Sequence, residues 1–254
     1  MMNKRHLYIQ LVNNEKLRIE INPSKSDSKP FFFIFGLHKS GSTLLNNIFN
    51  DICTEANIEQ ISLEELLFEK GFTPIDINIE GFPFYNGICY RGFRSFWINN
   101  IMPKNDSRSI VLVRDPRDAL ISYFFSDKYS HPIPEMGSIT QSMRLTRNKL
   151  STVENPEDDY NWLLNRAKFL RKNILDYACV LQNENFRFYR YEDVIFYKEE
   201  WIRNMVDFLG IDITNSKIEK IAKKNDVIPE QENKKEHIRS VIPGNYKKYF
   251  SEKQ

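Results

Sequence analysis

At 254 residues, with 41% hydrophobic and 28% charged residues, the chain has the length for a substantial core and the composition of a soluble globular protein. Lys and Arg number 36 against 34 Asp and Glu, and a net charge of +2 gives no basis for general nucleic-acid or membrane-surface binding. An anionic ligand must therefore be held by a few placed cations and amides. Cys53, Cys89 and Cys179 lie far apart, without the paired spacing of a zinc site, and read as buried free thiols of a reducing compartment. Residues 1–21 hold no apolar core of signal-peptide length, and no run approaches the ~20 residues that cross a bilayer. The sequence predicts a cytoplasmic protein with no membrane span and no nucleic-acid partner.

Two alternating apolar-polar runs, 6–12 and 16–22, flank Asn13-Asn14 and predict an N-terminal β-hairpin over residues 1–22. Residues 23–30 are polar, rich in Ser and Lys, and read as a linker. From Phe31 an apolar, aromatic run extends to Gly36, and the polar turn His38-Lys39-Ser40-Gly41-Ser42-Thr43 follows. Apolar residues at 44, 45, 48, 49 and 52 then mark one face of a helix. Strand, glycine-bearing turn and helix start form a cradle for an anion: the first amides of a helix lack intrahelical partners, and its dipole favours negative charge there.

Residues 58–61 predict a short strand and 63–70 a helix ended by Gly71. The section 72–104 is dense in aromatics (Phe72, Phe82, Phe84, Tyr85, Tyr90, Phe93, Phe96, Trp97), with one strand expected at 87–91 and buried loop packing favoured over an apolar pocket. Residues 109–114 form a buried strand; Asp115 is a strong N-cap and Pro116 suits the first helical position. Residues 129–154 read as a long loop or lid with a short helix at most. Asn155-Pro156 opens a helix running to about 178. A strand at 186–191, a helix at 201–209 closed by Gly210, a short helix at 217–224 and a polar tail complete the chain. Strands separated by helices predict an α/β domain, with a parallel sheet flanked by helices and ligands beyond the carboxyl ends of its strands.

Gly36 and Gly41 have the spacing of the nucleotide-triphosphate loop G-x-x-x-x-G-K-[ST], but Ser42 fills the lysine slot and the lysine, Lys39, lies inside the turn. That weakens an ATP or GTP reading. Gly36-Leu-His-Lys-Ser-Gly-Ser-Thr43 instead resembles the 5′-phosphosulfate loop of P-loop sulfotransferases, which use 3′-phosphoadenosine 5′-phosphosulfate (PAPS). A second stretch, Arg114-Asp-Pro-Arg-Asp-Ala-Leu-Ile-Ser122, resembles the 3′-phosphate motif of the same family. Asp115 and Ser122 are about two helical turns apart, so Ser122 projects from the face that holds the helix start. Arg114 and Ser122 are then able to grip one phosphate, as a guanidinium fork and a hydroxyl donor.

Two looser pieces follow. Arg190-Tyr-Glu-Asp-Val194 is similar to the family's Tyr-Glu-Asp strand end, which makes Tyr191 an adenine contact or a packed core aromatic. His237-Ile-Arg239 to Phe250 is similar to the segment that carries a further 3′-phosphate arginine, here Arg239, although Ser240, Val241, Asn245 and Tyr246 depart from the pattern. The resemblance spans residues 31–250 and implies one sulfotransferase domain over 1–254. It implies PAPS as co-substrate, 3′-phosphoadenosine 5′-phosphate (PAP) as product and no metal. It also implies transfer to a hydroxyl, or an amine, of an unidentified small-molecule or carbohydrate- or lipid-like acceptor. Lys39, with Ser40 and the amides of Gly41, Ser42 and Thr43, would hold the phosphosulfate, and Lys39 would stabilise the leaving oxygen. The family's usual histidine base has no counterpart in Tyr90–Ser95. Glu64 and Glu65 fall in the window of carboxylate-using relatives, and His131 borders the acceptor region, so these three are the candidate bases. Two other classes remain: a magnesium-ATP kinase, with Asp115 holding the metal, and a catalytically silent nucleotide-binding module.

Overall fold

The structure, a computed structural model, describes residues 5–11, 16–21, 31–73, 77–78, 84–94, 107–137, 139–236 and 240–251. Strands β1 (Arg5–Leu11) and β2 (Lys16–Ile21) pair antiparallel, Tyr8 opposite Arg18, as the alternating runs predict. Next come β3 (Phe32–Gly36), α1 (Ser42–Glu55), β4 (Glu59–Ser62) and α2 (Leu63–Glu69), then β5 (Ile77–Asn78), β6 (Ile88–Phe93) and β7 (Arg108–Val113). The two-residue β5 lies on the free edge of β1. Helices α3 (Pro116–Phe125), α4 (Thr140–Leu150) and α5 (Tyr160–Ala178) precede β8 (Phe186–Arg190). The chain then runs through α6 (Tyr191–Val194), α7 (Lys198–Leu209) and α8 (Asn215–Lys224) to a 3₁₀ turn at Asn245–Lys248.

Strands β4, β6, β3, β7 and β8 form one parallel sheet in that order, with β3 at its centre. A parallel strand covered on both faces reads as an unbroken apolar run, which is the pattern of Phe32-Phe-Ile-Phe35. Phe33 and Phe35 point to one face, into a cluster with Leu7, Ile9, Leu11, Ile19 and Ile21 of the hairpin. Phe32 and Ile34 point to the other, against Ile48, Phe49 and Ile52 of α1 and Ile202 and Met205 of α7. The hairpin therefore packs against that face of the sheet.

Several expectations change in detail. The stretch 129–154 holds the eleven-residue α4, preceded by a π-helical turn at Ser126–Ser130 that continues α3. Helix α5 is capped by Asp159, whose carboxylate accepts from the Trp162 amide, while Asn155-Pro156 starts only a 3₁₀ turn at Pro156–Asp158. Cys53 and Cys89 are buried as expected, but Cys179 is exposed, because it ends α5 on the solvent side. In the aromatic section Phe84 packs on Phe33 and Tyr90, in keeping with buried loop packing; Phe82, Phe96 and Trp97 lie outside the described residues.

Candidate active site

The turn after β3 is shaped by two left-handed residues, Lys39 (φ 63°) and Gly41 (φ 94°). Gly41 is the N-cap of α1 and has no side-chain cap, so the helix start presents backbone amides. A Cβ on Gly41 would sit 2.9 Å from the Tyr191 ring, and one on Gly36 would sit 2.8 Å from the Ser42 Cβ. Both glycines are needed for close approach: β3 to the helix start, and the loop to the end of β8. Ser40 is buried and gives its hydroxyl to the Leu37 carbonyl at 2.7 Å, which fastens the turn to itself.

Arg114 leaves the end of β7 beside this loop. Its guanidinium lies 4.4 Å from the Tyr191 ring centroid, reaches the Lys39 carbonyl at 3.4 Å and pairs with Asp118 at 3.8 Å. Its Nε is buried without a hydrogen-bond partner among the described residues. Asp118, two residues into α3, accepts from the amides of Gly244 (2.7 Å) and Tyr246 (2.8 Å), so a single carboxylate ties the C-terminal segment to the phosphate-motif helix. Tyr191 adds a second tie, its hydroxyl donating to the Val241 carbonyl at 3.0 Å. Burial pushes the Tyr191 phenol up to about 12.

These groups border one cavity of about 430 Å³, lined by Lys39, Gly41, Ser42, Thr43, Arg114, Ser122 and Tyr191 among others. Such a volume falls in the range of small-molecule and nucleotide pockets. Arg94, Lys198 and Lys224 also line it, against a single carboxylate, Asp51, so the cavity is suited to an anion. The matching sequence profile, described as "Sulfotransferase domain", spans residues 97–254, more than half of the chain. The chain belongs to the sulfotransferase family, a family of enzymes. No curated protein sequence matches it. Among solved structures, mouse sulfotransferase SULT7A1 complexed with PAP has a TM-score of 0.57 at 17% identity, covering 91% of this chain and 86% of that one. Retinol dehydratase in a complex with retinol and PAP gives 0.48 at 16% identity, over 88% of this chain and 77% of that one. A sulfotransferase from Alicyclobacillus acidocaldarius gives 0.43 at 16% identity, over 73% and 82%. The likeness to SULT7A1 is a likeness of fold. The loop at 36–43 lies outside the matched residues of this sulfotransferase-family chain.

Lys39 is the cation at the centre. Its ammonium donates to the Ser126 hydroxyl at 2.6 Å and lies 5.6 Å from the Tyr123 ring centroid. Burial, then the Arg94 charge, lower its pKa to about 8; Asp127 opposes the shift and Arg166 adds to it. Arg94 follows β6 directly and belongs to no motif of defined spacing. Asp118 is given no role by the sequence, and its tie to residues 244 and 246 appears only in the fold.

The candidate bases fall in different places. Glu65 accepts from Asn46 at 3.0 Å and from Arg91 at 3.4 Å, which joins α1, α2 and β6. It faces the groove shared with Arg18 and Glu20 of the hairpin and does not line the nucleotide-sized cavity. Glu64 is close enough to Tyr177 for its charge to raise that phenol. His131 packs on Phe68 at 5.4 Å and helps line a small cavity of about 60 Å³ with Asp127, Arg147 and Arg166. Its charge also acts on His38. Arg239 and His237 lie outside the described residues, while Ser240 and Val241 line the main cavity. Asp115 accepts from the Arg117 amide at 2.9 Å and pairs with the Arg117 guanidinium at 2.6 Å, which commits its carboxylate to the helix start.

Proposed function

We propose that the chain is a single-domain sulfotransferase that moves a sulfuryl group from PAPS to a hydroxyl, or an amine, of a small-molecule or carbohydrate- or lipid-like acceptor, with PAP as product. The observation that supports this reading is that one cavity is lined both by the loop residues Lys39, Gly41, Ser42 and Thr43 and by Arg114 and Ser122. The loop offers backbone amides at the start of α1, and Arg114 offers a guanidinium beside it. A ligand charged at both its 5′ and 3′ positions suits such a pair. The Arg114 Nε, buried without a hydrogen-bond partner among the described residues, is a donor suited to an anion. Tyr191, packed between Gly41 and Arg114, is assigned to the adenine by resemblance, and Arg239 to the 3′-phosphate likewise.

The co-substrate supplies an activated sulfate on a good leaving group. Lys39 holds a positive charge against the bridging oxygen as charge develops there, and the loop amides hold the phosphate still. With a pKa of about 8, Lys39 is mostly protonated at pH 7, the form the role requires. A transferred sulfuryl group carries less charge than a phosphoryl group, so the chemistry needs no magnesium clamp. The engagement of Asp115 with Arg117 gives the kinase reading no support. Among the described residues no helix is long and apolar enough to cross a membrane. A cytoplasmic location goes with this proposal, the free cysteines suiting a reducing compartment.

Thermal unfolding with added nucleotide tests the reading. PAP at about a hundred times its dissociation constant stabilises the native state by ~2.7 kcal/mol, a rise of roughly 5–10 °C for a chain of this size, with no magnesium required. Stabilisation by ATP only with magnesium, and none by PAP, would overturn it.

A further inference from the structure

Sulfuryl transfer needs a group to take the acceptor's proton, and Tyr90–Ser95 offers no imidazole. One is present in the loop itself. His38 precedes Lys39, is half-buried, and lies with its ring stacked on Tyr123 (centroids 5.8 Å apart, planes at 26°) and edge-on to Phe169 (5.0 Å, 63°). Lys39 lines the nucleotide-sized cavity; His38 does not, and turns instead toward α3 and α5. An in-line displacement puts the incoming oxygen opposite the leaving one, so the base must stand on the side of Lys39 away from the nucleotide. His38 and the Lys39 ammonium meet at one ring, the imidazole stacked on Tyr123 at 5.8 Å and the ammonium 5.6 Å from its centroid.

We propose that His38 is the general base of the transfer, a reading that rests on the sulfuryl-transfer function above. A ring nitrogen of His38 takes the proton of the acceptor hydroxyl as its oxygen forms a bond to sulfur. The bond from sulfur to the bridging oxygen breaks, and its electron pair stays on the 5′-phosphate of PAP beside the Lys39 ammonium. The imidazolium then gives its proton to solvent.

The charges around the ring suit this role. Burial, then Arg94, Lys39, Arg166 and His131, hold the imidazole well below its ordinary 6.5, so it is neutral and open to a proton at pH 7. Burial also raises the Tyr123 phenol, which stays protonated against the ring, and Asp127 pairs with Arg166 at 2.8 Å on the far side of the cluster. Binding an anionic donor offsets Lys39 and Arg94, and makes His38 a stronger base when the donor is in place.

The variants H38Q and H38A test the assignment with labelled PAPS and a panel of simple alcohols and phenols. Both should keep the wild-type thermal response to PAP, and a donor KM within about threefold of wild type. Loss of a positioned base should lower kcat by ~10²–10⁴-fold. The acid limb of kcat/KM, which in the wild type inflects below 6.5, should disappear, and added imidazole should restore part of the H38A activity. An H38Q enzyme within tenfold of wild type and with its acid limb intact would overturn the proposal. NMR on histidine-labelled wild type gives a second readout that needs no variant. His38 should be neutral at pH 7 and should shift its titration upward with PAP; a ring protonated at pH 7 without nucleotide, or indifferent to PAP, would also overturn it. If PAP fails to stabilise the wild type, the sulfuryl-transfer reading itself falls, and the two failures are thereby told apart.

Discussion

Lys39 has to be buried enough to act at full electrostatic strength and charged enough to act at all. Burial and the neighbouring Arg94 lower its pKa to about 8, and the protonated form is the active one. The donor kcat/KM should therefore be flat below about pH 8 on the basic side and fall above it, a limb that a pH–rate profile reads directly. Lys39→Ala should remove that limb and lower kcat by ~10²–10³-fold, with PAP binding still measurable by thermal shift; full activity would take Lys39 out of the mechanism. Arg114→Ala should act differently, raising the donor KM while the folded state survives. Arg114→Lys should not restore the affinity, because an ammonium neither stacks on Tyr191 nor presents a fork to a phosphate. At this scale the sequence was informative wherever a residue sits in a motif with defined spacing: Lys39 in its turn, and Arg114 eight residues before Ser122. Arg94 and His38 were harder to see. Their relevance comes from the meeting of β6, the loop and α5, and no local pattern encodes that meeting.

The phosphate-motif helix α3 is the element on which the site's parts converge. Arg114 precedes it, Ser122 lies on it, and Asp118 within it carries residues 244 and 246. That link spans 126 positions, so the short C-terminal pieces that match the family only loosely are still placed firmly. Asp118→Ala would leave the Gly244 and Tyr246 amides without their acceptor. The expected cost is about 2–4 kcal/mol, read from urea unfolding, together with faster protease cleavage in the last twenty residues. Asp118→Asn should be milder, since its carbonyl oxygen still accepts one of the two bonds. Strands and capped helices were legible from the sequence because their signals are local: alternation in β1 and β2, and Asp115-Pro116 before α3. Helix α4 was not legible, and its burial explains why. Only Thr140 and Leu150 are buried along it, so it lacks the apolar stripe that reveals a helix.

For the molecule as a whole, the span of the family match and the span of the fold differ, and the difference is testable. Residues 97–254 hold β7 and β8 but none of β4, β6 and β3. Within the sheet β3 is the partner of β7 on one side, paired from Phe32–Arg108 to Gly36–Leu112. A fragment limited to 97–254 would expose that edge of β7 and the inner faces of α7 and α8, which pack on β3 and α1. Two parallel strands with that much uncovered apolar surface do not make a stable sheet. The hairpin extends the same argument to the N-terminus. Leu7, Ile9, Leu11, Ile19 and Ile21 share one cluster with Phe33 and Phe35 of the central strand, so β1 and β2 close the core on the face opposite α1. Ile9, at 2% exposure, reports on this packing: Ile9→Ala should cost ~2–5 kcal/mol in urea unfolding, as any truncation in a close-packed core does. Removal of 1–22 should cost more, giving a chain that binds hydrophobic dye and unfolds without a cooperative transition. A truncated chain that melts cooperatively at the wild-type temperature would show instead that the hairpin is dispensable to the fold. Because β3 leads straight into the loop that carries His38 and Lys39, loss of the cover over Phe33 and Phe35 should also weaken the response to PAP, by loosening the strand that sets the loop.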